Sequence, residues 1–152
     1  MDIKYINPFI NGLLNVCQML GMQELKRTGL RKREKLQTEH DVNIIIGLVG
    51  GLKGNVVLSM HEATACNIAS TMMGGMPVPQ FDLMPKSAIC ELANMVAGNS
   101  VSNLQEIGSL VDITPPTLIS GKNMVSMISL VETLVIQFIG AEGSFDLNIA
   151  LE

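Results

Sequence analysis

Ser87, Glu91, Asn94 and Gly98 have both the chemistry and the spacing of a working surface. At about 100° of turn per residue they gather on one side of a helix, with Gln105 further along. Ile89, Leu92, Ala93, Val96, Ser100 and Ile107 gather on the other, which is small and mostly apolar. An acid, an amide and a glycine therefore share a stripe facing away from a core. A carboxamide accepts one hydrogen bond while donating another, but it is no general base. The carboxylate is either a partner for a cation or a plain surface acid. Gly98 costs such a helix about 1 kcal/mol relative to alanine. On an exposed face no packing demand explains it, whereas a bare patch beside a polar pair lets another molecule's backbone approach. The competing reading is an ordinary solvated face with a tolerated glycine.

A helix over residues 83–107, LMPKSAICELANMVAGNSVSNLQEI, must carry this stripe, and the remaining chain must hold that helix. At 152 residues the chain reads as one domain, 1–152, with enough length for a core. Charged residues are 16% and hydrophobic ones 47%, which excludes a disordered chain. A net charge of −4, one Tyr and no Trp argue against nucleic-acid binding. Lys26, Arg27, Arg31, Lys32, Arg33 and Lys35 form one basic cluster, diluted by Glu24, Glu34, Glu39 and Asp41, and read as the solvent side of a strand pair. The start, MDIKYINPFING, lacks the features of a signal peptide. The longest apolar stretch, residues 124–139, is interrupted by polar side chains, so no membrane span is expected. Cys17, Cys66 and Cys90 are far apart and odd in number. They read as reduced thiols of a cytoplasmic protein, and no Cys/His spacing predicts a metal site. Eleven methionines point to adaptable packing.

In order, the pattern predicts a helix over 6–20, an extended polar edge over 25–36, strands over 42–49 and 55–60, and a helix over 61–73. After the 83–107 helix, Pro115-Pro116 bends or ends an edge strand. A long strand over 125–139 and a half-buried one over 145–151 complete the chain. An internal echo matches Gly51-Leu-Lys-Gly54-Asn-Val56-Val-Leu58 with Gly140-Ala-Glu-Gly143-Ser-Phe145-Asp-Leu147. The chain thus reads as two helix-plus-three-strand halves with 61–75 as a connector. Carried to the helices, the echo sets Gly12-Leu13-Leu14-Asn15 against Glu91-x-x-Asn94. His40 and His61 read as turn and capping or solvent residues, and Asn99, on another side of the helix from Asn94, as structural.

Ser87-x-x-x-Glu91-x-x-Asn94 followed by Met95-Val96-Ala97-Gly98-Asn99 resembles the signature helix of the CheC/CheX/FliY family of chemotaxis phosphatases. INPFINGLLNV, Pro115-Pro116 and the order of elements extend the resemblance over nearly the whole chain. A single intact motif is more like CheX than CheC. The resemblance implies an α+β fold, an antiparallel sheet of about six strands with helices packed on one face, and a homodimer through a sheet edge. It implies removal of phosphate from the aspartyl phosphate of a CheY-like receiver domain. Asn94 would place the attacking water, Glu91 would pair with the receiver's lysine, and Ser87 and Gly98 would be contact positions. Mg²⁺ would come with the receiver, with no cofactor of the chain's own. The rival is a non-catalytic module that docks a receiver or a flagellar-switch component; a structural dimer module is the third reading.

Overall fold

The computed structural model describes residues 2–152. Among them, a short 3-10 turn at Ile3–Tyr5 leads into α1 (Asn7–Met19). Strands β1 (Lys26–Arg33), β2 (Leu36–Thr38), β3 (Val42–Gly50) and β4 (Gly54–Met60) follow, then α2 (Glu62–Met72) and α3 (Leu83–Glu106). The chain ends with β5 (Val111–Ile113), β6 (Thr117–Ser120), β7 (Ser126–Ser129), β8 (Thr133–Gly140) and β9 (Gly143–Leu151). The fold is α+β, as expected, with more strands than expected. A seven-stranded antiparallel sheet runs β1-β8-β9-β4-β3, with β6 and β5 end to end along the far edge of β3, on Val42–Ile45 and Leu48–Gly50 respectively. Pro115-Pro116 makes the break between β5 and β6, because neither residue has an N–H to give to the ladder.

Alternation assigns the sheet's two faces. Ile44, Ile46, Leu58, Met60, Ile136, Phe138, Leu147 and Ile149 join the helices' Phe9, Leu13, Ile68, Leu92 and Val96 in one core. Val57 and Ala150, of opposite parity, face the other way and form a small cluster with Leu36. That cluster lies beneath a separate two-stranded sheet, β2 with β7. The single strand expected over 125–139 is therefore two. The chain bends at Leu130–Glu132, where the Val131 N–H donates to Ser129 Oγ (3.3 Å) and Thr133 Oγ1 donates to the Val131 carbonyl (2.9 Å). These side chains satisfy backbone groups that a continuous ladder would otherwise pair. The bend lets β7 leave for the outer face while β8 stays in the sheet.

The internal echo is a physical two-fold. Leu58 and Leu147 are 89 positions apart (147 − 58) and pair with each other across β4 and β9. The β1 strand of the first half lies beside β8 of the second, and β5 and β6 of the second lie beside β3 of the first. Each half thus completes the other's sheet.

Candidate functional site

The helix α3 spans 24 residues and buries Ile89, Leu92, Ala93, Val96, Ala97, Ser100 and Leu104. This is the predicted core side, with one correction. Ile107 is 49% exposed, because the helix ends at Glu106 and the backbone turns away. Gly108, at φ +88°, takes the left-handed conformation that ends many helices. Ser100 is buried without penalty, since its hydroxyl donates to the Val96 carbonyl at 2.7 Å.

Ser87, Glu91 and Asn94 are exposed, and Gly98 is half-buried. The structure therefore brings the four stripe residues together on one surface. At about 1.5 Å of rise per residue, Glu91 and Asn94 lie about 4.5 Å apart along the axis, and Gly98 one turn beyond. Glu91 takes part in no salt bridge among the described residues. A Cβ built on Gly98 would have nothing within 4 Å. No internal contact requires a glycine there, so it leaves open surface beside the amide. Asn99 is engaged elsewhere: Asn15 Nδ2 donates to its Oδ1 at 3.5 Å.

The helices of the two halves align differently from the expected echo. A methyl group on Gly12 would overlap Ser100 Oγ and stand 3.0 Å from the Ser100 backbone nitrogen. Gly12 thus marks where α1 and α3 cross, and it matches Ser100 at a shift of 88 (100 − 12), close to the sheet's 89. The C-termini agree. Gly21 (φ +83°) and Gly108 (φ +88°) close the two helices, 87 positions apart (108 − 21). The Met22 N–H donates to the Cys17 carbonyl and the Ser109 N–H to the Leu104 carbonyl, both at 3.0 Å. Gly12 is therefore no counterpart of Glu91. At these shifts α1, which begins at Asn7, corresponds to the part of α3 from about Asn94 onward. Ser87 and Glu91 stand on an N-terminal extension of α3 that α1 lacks.

None of the three cysteines is placed as a nucleophile. Burial, reinforced by the charge of Glu142, pushes the Cys17 thiol up to about 12. Burial also raises Cys90, and burial with the nearby Glu62 and Asp82 raises Cys66. A raised thiol is uncharged at neutral pH.

One polar cluster lacked any local signal in the sequence. His40 Nε2 lies 3.0 Å from the buried Asp146 Oδ2, and Arg31 Nη2 lies 3.5 Å from the same oxygen. His40 is thus half-buried against an acid, where the sequence placed it in a charged turn. Asn148 Nδ2, on the same face, donates to the Val57 carbonyl and Ser59 Oγ, each at 3.0 Å. The partners come from β1, the β2–β3 turn and β9, so no spacing could have joined them. They line a cleft of about 130 Å³ on the sheet face away from the main core and so from α3. His61 is exposed at the N-cap of α2, with Nδ1 3.9 Å from Asp41 Oδ2 and no capping bond from its side chain.

Comparison with known proteins gives this geometry relatives over its full length. A curated Thermotoga maritima protein named CheY-P phosphatase CheX is 33% identical, covering 100% of this chain and 98% of its own. A CheC-like superfamily protein from Shewanella sp. PV-4 superposes with a TM-score of 0.88 at 29% identity, covering 100% of this chain and 99% of its own. The CheX of a CheX–CheY–BeF3–Mg²⁺ complex from Borrelia burgdorferi has a TM-score of 0.78 at 29% identity, with 97% of each chain covered. The family model described as chemotaxis phosphatase CheX matches residues 42–139. That span takes in more than half of the chain and all of α3, so the chain belongs to the CheX family.

Proposed function

We propose that this protein hydrolyses the aspartyl phosphate of a CheY-like receiver domain, using Asn94 and Glu91. The observation that carries the reading is the exposed Glu91/Asn94 pair beside the open surface at Gly98, with Glu91 on the turns of α3 that have no counterpart in α1. The full-length Thermotoga relative named a CheY-P phosphatase supplies the substrate class.

The reaction asks for a water held in line behind phosphorus and for charge balance around the phosphoryl oxygens. The Asn94 carboxamide can accept from that water and donate to a phosphoryl oxygen, which orients the nucleophile. A loose phosphoryl transfer needs no strong base, and Asn94 is none. Glu91, one turn earlier, pairs with the receiver's lysine and sets the depth and rotation of docking. Ser87 and Gly98 are contact positions above and below the pair. Among the described residues no group of three His, Cys, Asp or Glu side chains is placed to hold a metal. In this reading Mg²⁺ belongs to the receiver; the Borrelia complex contains CheY and Mg²⁺ together with CheX.

The protein acts as a homodimer and in the cytoplasm. The free edge of β6, Thr117–Ser120, carries no charge, whereas the opposite edge, β1, is guarded by Lys26, Arg27, Arg31, Lys32 and Arg33 and broken by a bulge between Arg27 and Gly29. The uncharged edge favours pairing with a second copy. Three free cysteines suit a reducing compartment. Sedimentation equilibrium checks the dimer, which an aspartate at Ile119 on that edge should dissociate.

The deciding experiment follows phosphate loss from a phosphorylated CheY-type receiver with Mg²⁺, alone and with the wild type, Asn94→Ala or Glu91→Ala. Acceleration by the wild type that Asn94→Ala abolishes while still binding supports the assigned role. Binding without any change in the phosphoryl lifetime makes the protein a docking module.

A further inference from the structure

The first turn of α3 displays apolar side chains that the fold leaves unused. Leu83 is 80% exposed and Met84 66%, and Met76, in the connection from α2, is 61% exposed. This is not a frayed helix end. Phe81 just before and Pro85 just after are both buried, so the two residues are held between anchors. Lys86 is drawn away, its ammonium 5.9 Å from the centre of the Phe81 ring.

Their direction is set by the helix. At about 100° per residue, Met84 falls about 20° to one side of Glu91 and Leu83 about 80° to the other, bracketing the stripe. Met84, Ser87, Glu91, Asn94 and Gly98 then succeed one another at steps of three and four. At about 1.5 Å per residue the apolar turn ends about 10 Å before Glu91, and Gly98 lies about 10 Å beyond it. The polar pair is thus flanked by an apolar shoulder at one end and bare backbone at the other.

Such an arrangement divides labour. Partner-facing amides and acids supply register and specificity more than affinity, so the affinity must come from other contacts. Apolar side chains on a rigid turn supply affinity, and methionine adapts to an uneven partner surface. The asymmetry also orients the partner along the helix, since the two most exposed apolar side chains of α3, Leu83 and Met84, lie at its N-terminal end.

We propose that Leu83 and Met84 form the affinity-determining shoulder that docks an apolar patch next to the receiver's phosphoacceptor pocket. This rests on the receiver-phosphatase reading and assigns its binding energy to residues distinct from those that act on the phosphoryl group. Continuity with the Glu91/Asn94 stripe, through Ser87, selects the receiver over any other occupant.

The test uses the full chain and a CheY-type receiver held in its active form by BeF3 and Mg²⁺. Titration calorimetry measures binding to the wild type, to Leu83→Ser/Met84→Ser, and to the conservative Leu83→Ile/Met84→Leu. Steady-state dephosphorylation of the phosphorylated receiver gives KM and kcat for the same proteins. The serine pair is expected to weaken binding and raise KM at least tenfold, leave kcat within about twofold, and keep the thermal midpoint; the conservative pair restores affinity. Equal binding by wild type and serine pair overturns the shoulder while leaving the phosphatase reading intact. A fall in kcat at unchanged KM also overturns it. A change in sedimentation mass with receiver affinity preserved reassigns the patch to contact between two copies. A wild type that neither binds the receiver nor shortens its phosphoryl lifetime overturns both readings.

Discussion

The helices α1 and α3 are related by the molecule's two-fold, yet only α3 carries the proposed working face. Over their C-terminal parts they match: the same crossing at Gly12 and Ser100, and the same left-handed glycine after the last turn. They part at their N-termini. Pro8 sits in the first turn of α1, which starts at Asn7, while α3 begins at Leu83, about three turns earlier in the shared frame. Ser87 and Glu91 occupy the added turns and Asn94 the boundary. The difference teaches that the repeat builds the scaffold and the departure from the repeat carries Ser87 and Glu91 of the proposed site. The shared part forms the helix–helix seam, where Gly12 meets Ser100 and Asn15 meets Asn99. The unmatched turns lie outside that seam and leave Ser87 and Glu91 exposed.

Removing Asn94 should produce the largest effect. Asn94→Ala is expected to lower the rate of receiver dephosphorylation by about 10²–10³-fold, the range for losing one positioned donor, with stability shifted by no more than about 0.5 kcal/mol. Placing a Glu-x-x-Asn pair at Gly12 and Asn15 should yield no second site, because Gly12 is in the seam; a folded variant with doubled activity would break the comparison.

Next come the two helix glycines, which should respond oppositely to one substitution. At Gly12 an added methyl meets the backbone of Ser100. The overpacking cost of about 1–3 kcal/mol exceeds the helix-propensity gain of about 0.5–1 kcal/mol, so Gly12→Ala lowers the urea midpoint. At Gly98 the methyl meets nothing, so Gly98→Ala raises it by about 0.5–1 kcal/mol of stability while weakening receiver binding. Midpoints moving the same way would sink the assignment of seam and open face.

The smallest signal is chemical. Cys17, on the seam-bearing helix, has its thiol pushed up to about 12. The thiolate fraction therefore stays low from pH 7 to 10 and grows only as the pH approaches 12. Reaction with a thiol reagent at pH 8 should wait for unfolding, and should speed up in Gly12→Ala in step with its lost stability. Rapid labelling of Cys17 in the native wild type would contradict the burial.

Much of this was legible before any coordinates. The 83–107 helix, its exposed stripe and the strands over 42–49 and 55–60 follow from periodicities of 3.6 and 2, which are local properties of backbone geometry. The two glycine turns follow likewise, since Gly54 and Gly143 hold positive φ at the starts of β4 and β9.

The pattern over 125–139 predicts one strand where the structure has two, because Ser129 and Thr133 turn their hydroxyls on the backbone, a competition that an apolar pattern does not reveal. The His40–Asp146–Arg31 cluster was invisible because its members are brought together by strand pairing between distant segments. Which residues share a helix face follows from local order alone, because it depends on neighbours one turn away. How the two halves register follows from packing, because the shift of 88 is set where α1 and α3 touch. That contact left Glu91 on turns with no counterpart and made Gly12 a seam residue, despite their similar spacing from an asparagine.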